Sequence, residues 1–195
     1  MITGITRKTI NRILLSLRIR ISKLCEQECF SGLGIYELDE CYVGARRVRG
    51  KRGRGALGKT IVFGIYERES RKVYSRIVEN VKRETLMRII VQKISRESTV
   101  YTDGFKSYTA LKEMGYLFHE TVEHGANEFV RGSIHVNGIE GFWSVVKTRL
   151  SKFRGIKKSH IYLHLKECEY RFNHRYENMY DLLLMNLRFS PLKYS

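Results

Sequence analysis

Three β-branched and aromatic runs of strand length follow one another in this chain, and what comes after them alternates. Residues 35–43 (IYELDECYV), 60–67 (TIVFGIYE) and 72–79 (KVYSRIVE) read as extended segments separated by basic or charged turns. RETLMRIIVQKI then spaces Leu86, Ile89, Ile90 and Ile94 as an amphipathic helix does. STVYTD reads as a buried strand ending at Asp103, GFKSYTALKEMG as a helix stopped by Gly115, and YLFHETVEH as another short strand before helices to the end. Three hairpin-connected strands followed by alternating helices and strands predict one mixed α/β sheet with helices covering its faces.

At the N-terminus, residues 5–29 read as a helix. Ile10, Ile13, Leu14, Leu17, Ile21 and Leu24 recur at three- and four-residue spacing between arginines and lysines, and Thr6 is a candidate N-cap. TGITRKTINRIL also resembles the recognition helix of a helix-turn-helix, although many basic amphipathic helices share its pattern. At 195 residues, with one proline and no low-complexity linker, the chain suits a single main domain. The expected division is a basic helical segment at 1–31, the remnant of a helix-turn-helix, then a sheet domain at 32–178 and a C-terminal tail at 179–195.

Charge narrows the partner. Lys and Arg number 36 against 20 Asp and Glu, a formal charge of +16 that points to a polyanion. No run has the length of a membrane span, and MITGITRKTI lacks an apolar signal core, so no membrane partner is expected. The four cysteines form no CxxC pair, which argues against a zinc ribbon or disulfide framework and for reduced cytosolic thiols. Between the first two strands, residues 44–59 are rich in glycine, arginine and lysine. Arg46, Arg47, Arg49, Lys51, Arg52 and Arg54 make this segment a candidate basic arm for a phosphate backbone, and equally a plain hairpin insertion.

Against that basic background, acidic residues stand in three distinct settings. In the first strand, Glu37, Asp39 and Cys41 share one face and Leu38 and Glu40 the other. Three acids are out of place in a short strand unless one side meets solvent or a metal. Asp103 closes the STVYTD strand before Gly104; it could cap the following helix, but strand carboxyl ends are where α/β sheets place ligand groups. On a helix through HVNGIEGFWSVVK, Asn137, Glu140, Ser144 and Lys147 fall on one stripe, while Ile139, Phe142, Trp143, Val146 and Leu150 form the adjoining apolar one. The glutamate suits a metal and the lysine a phosphate, although a solvated surface helix remains open. A mixed sheet with acidic residues at strand ends and on a following helix fits an RNase H-like architecture with an N-terminal helical appendage.

ELDECYVG, RGKRGRGALGK, YTDGFKSY and HVNGIEGFWSVVK, in that order between Gly34 and Arg175, resemble the catalytic domain of bacterial insertion-sequence transposases, in the ISXO-like branch of the DDE superfamily. The resemblance implies a metal-binding catalytic triad of Asp39, Asp103 and Glu140, with Lys147 as the basic residue that follows the glutamate. Some relatives use asparagine as the third ligand, which makes Asn137 a second metal candidate; Glu40 is the fallback if the strand register shifts. Implied cofactors are two Mg²⁺ ions, with Mn²⁺ as substitute, about 3.5–4 Å apart on the scissile phosphate. The implied partners are transposon-end and target DNA and further copies of the chain in a synaptic complex, in a cytoplasmic, nucleoid-associated setting. Such transposases commonly begin with a zinc ribbon and a full helix-turn-helix, so the segment before Gly32 is expected to be the last helix of such a region.

Lys147, Arg149, Lys152 and Arg154, with Arg131, are candidates to hold the DNA backbone. His160 and His164 have the i,i+4 spacing of a zinc pair but no third ligand at a telling distance. His135 is the histidine expected near the site. The function implied is metal-dependent cleavage and strand transfer at transposon ends. Two alternatives stay open: a catalytically idle DNA-binding remnant, and a structure-specific nuclease of the same fold.

Overall fold

A computed structural model describes residues 4–28, 30, 32–44, 59–103, 108, 110–122, 135–153 and 156–192. The elements are α1 (Arg7–Gln27), β1 (Ile35–Val43), β2 (Thr60–Glu67), β3 (Lys72–Val78), α2 (Arg83–Lys93), β4 (Thr99–Asp103), α3 (Ala110–Glu113), β5 (His119–Val122), α4 (Asn137–Ser151), α5 (Ile161–Asn173) and α6 (Met179–Phe189). They build a five-stranded sheet in the order β3-β2-β1-β4-β5. β1, β2 and β3 pair antiparallel, while β4 runs parallel to β1 and β5 parallel to β4. This is the RNase H-like mixed sheet expected from the element order.

Alternation along β1 sorts its residues between two cores. Tyr36 and Leu38 join Phe63, Ile65 and Tyr74 under α2, where Leu86, Ile89, Ile90 and Ile94 are all buried. Cys41 and Val43 join Val62, Tyr66 and Tyr101 under α4 and α5, against Ile139, Phe142, Trp143, Val146 and Leu165. The apolar stripe predicted for the HVNGIEGFWSVVK helix is therefore the face that packs, and it fixes the rotation of α4 about its axis.

Two glycines let α4 lie this close. Gly64 of β2, paired with Asp39 across the ladder, would place a Cβ 2.5 Å from Trp143 Cζ2 and 2.8 Å from Ile139 Cδ1. At Gly138, a Cβ would fall 2.1 Å from the Tyr66 ring. Both rings are buried. Gly64→Ala and Gly138→Ala are each expected to destabilise the fold by about 1–3 kcal/mol as overpacking substitutions. Urea denaturation measures this, and an unchanged midpoint would contradict the close approach.

α1 is one helix of 21 residues whose Thr6 side chain accepts from the Thr9 backbone N–H, the N-cap read from sequence. It is not a detached appendage. Ile21, Leu24 and Cys25 pack on Tyr170 of α5 and Leu183 of α6. Arg18 Nε donates to Glu167 Oε2 at 2.8 Å. Glu26 lies 3.1 Å from the ammonium of Lys166, a fully buried lysine that also pairs with Glu169 at 3.0 Å. Deletion of everything before Gly32 therefore uncovers apolar surface and removes Glu26, one of the partners of the buried Lys166 ammonium. We expect it to cost at least about 3 kcal/mol. A truncated chain with an unchanged melting temperature would contradict this packing.

Within the tail expected at 179–195, residues Met179–Phe189 form α6. Asn178 caps it by accepting from the Tyr180 and Asp181 backbone N–H groups, a capping signal overlooked in the sequence. No helix among the described residues is long and apolar enough to cross a membrane.

Candidate metal centre

Asp39 lies within β1 and Asp103 at the carboxyl end of β4, its parallel neighbour; since Leu38 pairs with Thr102, the two aspartates follow side by side. Carboxylate oxygens of Asp39, Glu40 and Asp103 all come within 4.8 Å of one another, and all three residues are half-buried. Glu40 leaves β1 on the opposite face, as the alternation requires, and is held there by the Tyr108 hydroxyl, which donates to Oε1 at 2.8 Å. Asp39 Oδ1 accepts from the Glu40 backbone N–H at 2.8 Å. The sequence offered Glu40 only as a fallback, yet at the open end of the β1–β4 pair its carboxylate joins both aspartates.

Glu140 stands in the first turn of α4, exposed, outside that tight group but within its field. Burial pushes the Asp39 carboxyl up to about 6, and the charges of Asp103 and Glu140 push the same way, against the Glu40 N–H and the Trp143 indole. Asn137, the first residue of α4, is exposed one turn earlier. Lys147 is exposed two turns on; its charge reaches Cys41, whose thiol is pushed up to about 11 chiefly by burial, with Lys147 opposing. The Asn-Glu-Ser-Lys row thus runs along α4 over the face of β1 that carries Asp39.

The donors suit a hard divalent cation, which takes oxygen ligands and favours carboxylates. A second observation fits. The Trp143 indole lies beside Asp39 and helps to hold its charged form, but its buried Nε1 has no acceptor in hydrogen-bonding geometry among the described residues. A buried donor left short of its bond is costly unless a partner arrives. One set beside a carboxylate suits a side chain whose final orientation is fixed by a cation.

Among the described residues, several other candidates have partners away from this group. Arg149 turns to Glu167 of α5, with Nη2 2.5 Å from Oε1, so α1, α4 and α5 meet on one carboxylate. Despite its burial, Glu167 is held below the usual carboxylate range by Arg18, Arg149 and Arg171. Lys152 is exposed at the end of α4. Arg46, Arg47, Arg49, Lys51, Arg52, Arg54, Arg131 and Arg154 lie outside the described residues. His164 is buried against the Phe153 ring, 4.5 Å between centroids, and burial depresses its pKa. His135 sits 3.7 Å from Glu37 rather than at the aspartates. Glu37 itself, buried on the Asp39 face and bonded to Arg68 and to α4, was noted in sequence only as one of three acids on a strand.

The chain is 44% identical over 102 residues to a transposase-like protein of Haemophilus influenzae, covering 52% of this chain and 81% of that one. It is 35% identical over 153 residues to a protein of the transposable element ISH50 of Halobacterium salinarum, covering 71% of this chain and about half (52%) of that protein's length. Among solved structures, the catalytic core domain of BIV integrase is similar at a TM-score of 0.46 and 14% identity, over 81% of this chain and 98% of that one. The HTLV-2 integrase catalytic core domain is similar at a TM-score of 0.43 and 10% identity, over 75% of this chain and 89% of that one. Residues 32–173, well over half of the sequence, match the ISXO2-like transposase domain, and the protein belongs to that ISXO-like branch of insertion-sequence DDE transposases.

Proposed function

We propose that this chain carries the catalytic centre of its transposase family, cleaving DNA strands at element ends and joining them to target DNA with divalent metal ions, Mg²⁺ or Mn²⁺. The observation that carries the reading is the convergence of Asp39, Glu40 and Asp103 within 4.8 Å on a chain of formal charge +16. Divalent ions held there would activate a water or a DNA 3′-hydroxyl as nucleophile and stabilise the departing oxygen.

The protein's own part is to place the ligands and the DNA. Asp39 and Asp103 present carboxylates from adjacent strands, so their spacing is set by the sheet. Glu140 approaches from α4, with Asn137 one turn away as a further oxygen donor. Glu40, tied to Tyr108, adds a carboxylate from the opposite face. Lys147 and Lys152 on the outer side of α4 supply charge for the phosphates, as do Arg46, Arg47, Arg49, Lys51, Arg52, Arg54 and Arg154. Arg149, occupied by Glu167, contributes to the packing of α4 and only secondarily to DNA. Several copies of the chain would act together on paired ends.

Incubation with a duplex carrying the element's terminal sequence tests the proposal. Nicking or strand transfer that needs Mg²⁺ or Mn²⁺ and stops with chelator is the expected result. Binding without cleavage would support the idle remnant, and cleavage confined to branched DNA the structure-specific nuclease.

A further inference from the structure

Glu37 is almost completely buried, and both its carboxylate oxygens are engaged. Oε1 accepts from Arg68 Nε at 2.7 Å, and Oε2 accepts from the Ile139 backbone N–H at 3.0 Å. Ile139 is in the first turn of α4, where N–H groups have no intrahelical acceptor. The N-cap residue, Val136, has no side chain that can supply one. A carboxylate from β1, 102 residues earlier in the chain, fills that role. It also places negative charge at the positive end of the helix dipole.

Arg68 completes the arrangement. Its Nη2 donates to the His135 carbonyl and lies 3.2 Å from His135 Nδ1, so one guanidinium grips both the carboxylate that caps α4 and the chain entering it. Its plane rests over the Tyr101 ring, 4.3 Å from the centroid. A planar fork suits such a double task, which an ammonium could not match. Directly after Ile139 comes Glu140, and two residues after Glu37 on the same face of β1 comes Asp39.

We propose that Glu37 and Arg68 form a positioning clamp that holds the first turn of α4 so that Glu140 faces the metal centre. The clamp rests on the reading of Asp39, Asp103 and Glu140 as metal-holding residues, and it joins the strand ligand to the helix ligand through one buried ion pair. Neither clamp residue touches the reacting atoms. Their effect passes through Glu140, and that route separates a positioning role from a general contribution to stability.

The chain has a single tryptophan, Trp143, beside Asp39, so its fluorescence reports Mn²⁺ arriving at the centre without any DNA. The wild type is expected to show saturable quenching that Asp39→Asn removes. Glu37→Gln, which keeps an acceptor but loses the charge, is expected to raise the half-saturating Mn²⁺ concentration about tenfold, as is typical for residues that orient metal ligands. Glu140→Gln is expected to weaken binding similarly. The double variant should match Glu140→Gln alone within about twofold, because the clamp then has no ligand to position. Effects that multiply in the double variant, or a Glu37→Gln protein that binds Mn²⁺ as the wild type does, would overturn the clamp and leave the metal centre standing. An absence of saturable quenching in the wild type would overturn both. Arg68→Lys keeps the charge but not the fork. It serves in the same cycle if Glu37→Gln fails to fold, and is expected to give a smaller loss that Glu140→Gln again masks.

Discussion

Asp103→Asn is expected to abolish metal-dependent strand cleavage, with a loss of about 10³-fold or more, and to leave DNA affinity unchanged or slightly higher. Asp103 and Asp39 lie on adjacent parallel strands, so the sheet sets their spacing, and their oxygens belong to the 4.8 Å group that Glu40 completes. The amide keeps the size of the side chain and one acceptor oxygen but loses the charge that a divalent ion requires. Several kcal/mol of transition-state stabilisation depend on that ion, which sets the scale of the loss. Removal of a negative charge near the phosphates does not weaken binding to them. Single-turnover cleavage and a binding isotherm at the same salt concentration measure the two effects. Cleavage at the wild-type rate would remove Asp103 from the site.

Asp39→Asn is expected to act in the opposite direction on stability. Without metal, it should stabilise the protein by about 2–3 kcal/mol near pH 8. Burial, with Asp103 and Glu140 adding to it, raises the Asp39 pKa from 3.8 to about 6. The folded state therefore holds a proton that the unfolded chain releases earlier. Wild-type stability falls as the pH rises through this interval and stays reduced above about 6. Below about pH 4 both forms are neutral at this position and the gap between wild type and variant should close. Mg²⁺ should reverse the order at pH 8, because only the wild-type carboxylate gains from binding the ion. Thermal melts from pH 4 to 8, with chelator and with Mg²⁺, show both trends. A stability difference independent of pH would contradict the burial of this carboxylate as a charged group.

Local periodicity carried much of the architecture into view. The two-residue period of IYELDECYV placed Asp39 with Cys41 and apart from Leu38 and Glu40, and the packing of Cys41 under α4 and Leu38 under α2 follows it. The 3.6-residue period of HVNGIEGFWSVVK likewise separated the buried Ile139, Phe142, Trp143 and Val146 from Glu140 and Lys147. What stayed hidden depends on partners far apart in sequence. Glu37 meets Ile139 across 102 residues, and Lys166 meets the Ser75 carbonyl across 91. No periodicity links such positions, and an acid on a strand or a lysine on a helix looks solvated until the other element arrives. The same holds for α1, whose basic face suggested an independent DNA-binding segment while Ile21 and Cys25 were already committed to α5. Glu40 was harder to place for a geometric reason. It belongs to the opposite face of β1, but near the open end of the strand pair a glutamate is long enough to bring its carboxylate to the aspartates.

Asp39 and Asp103 together are expected to hold a divalent ion. Anomalous diffraction from crystals of the protein grown with Mn²⁺ tests it most directly. The expected result is a manganese peak in contact with carboxylate oxygens of both aspartates and absent from Asp39→Asn crystals. Manganese bound elsewhere with none between these two residues, or a peak that persists unchanged in the variant, would contradict it.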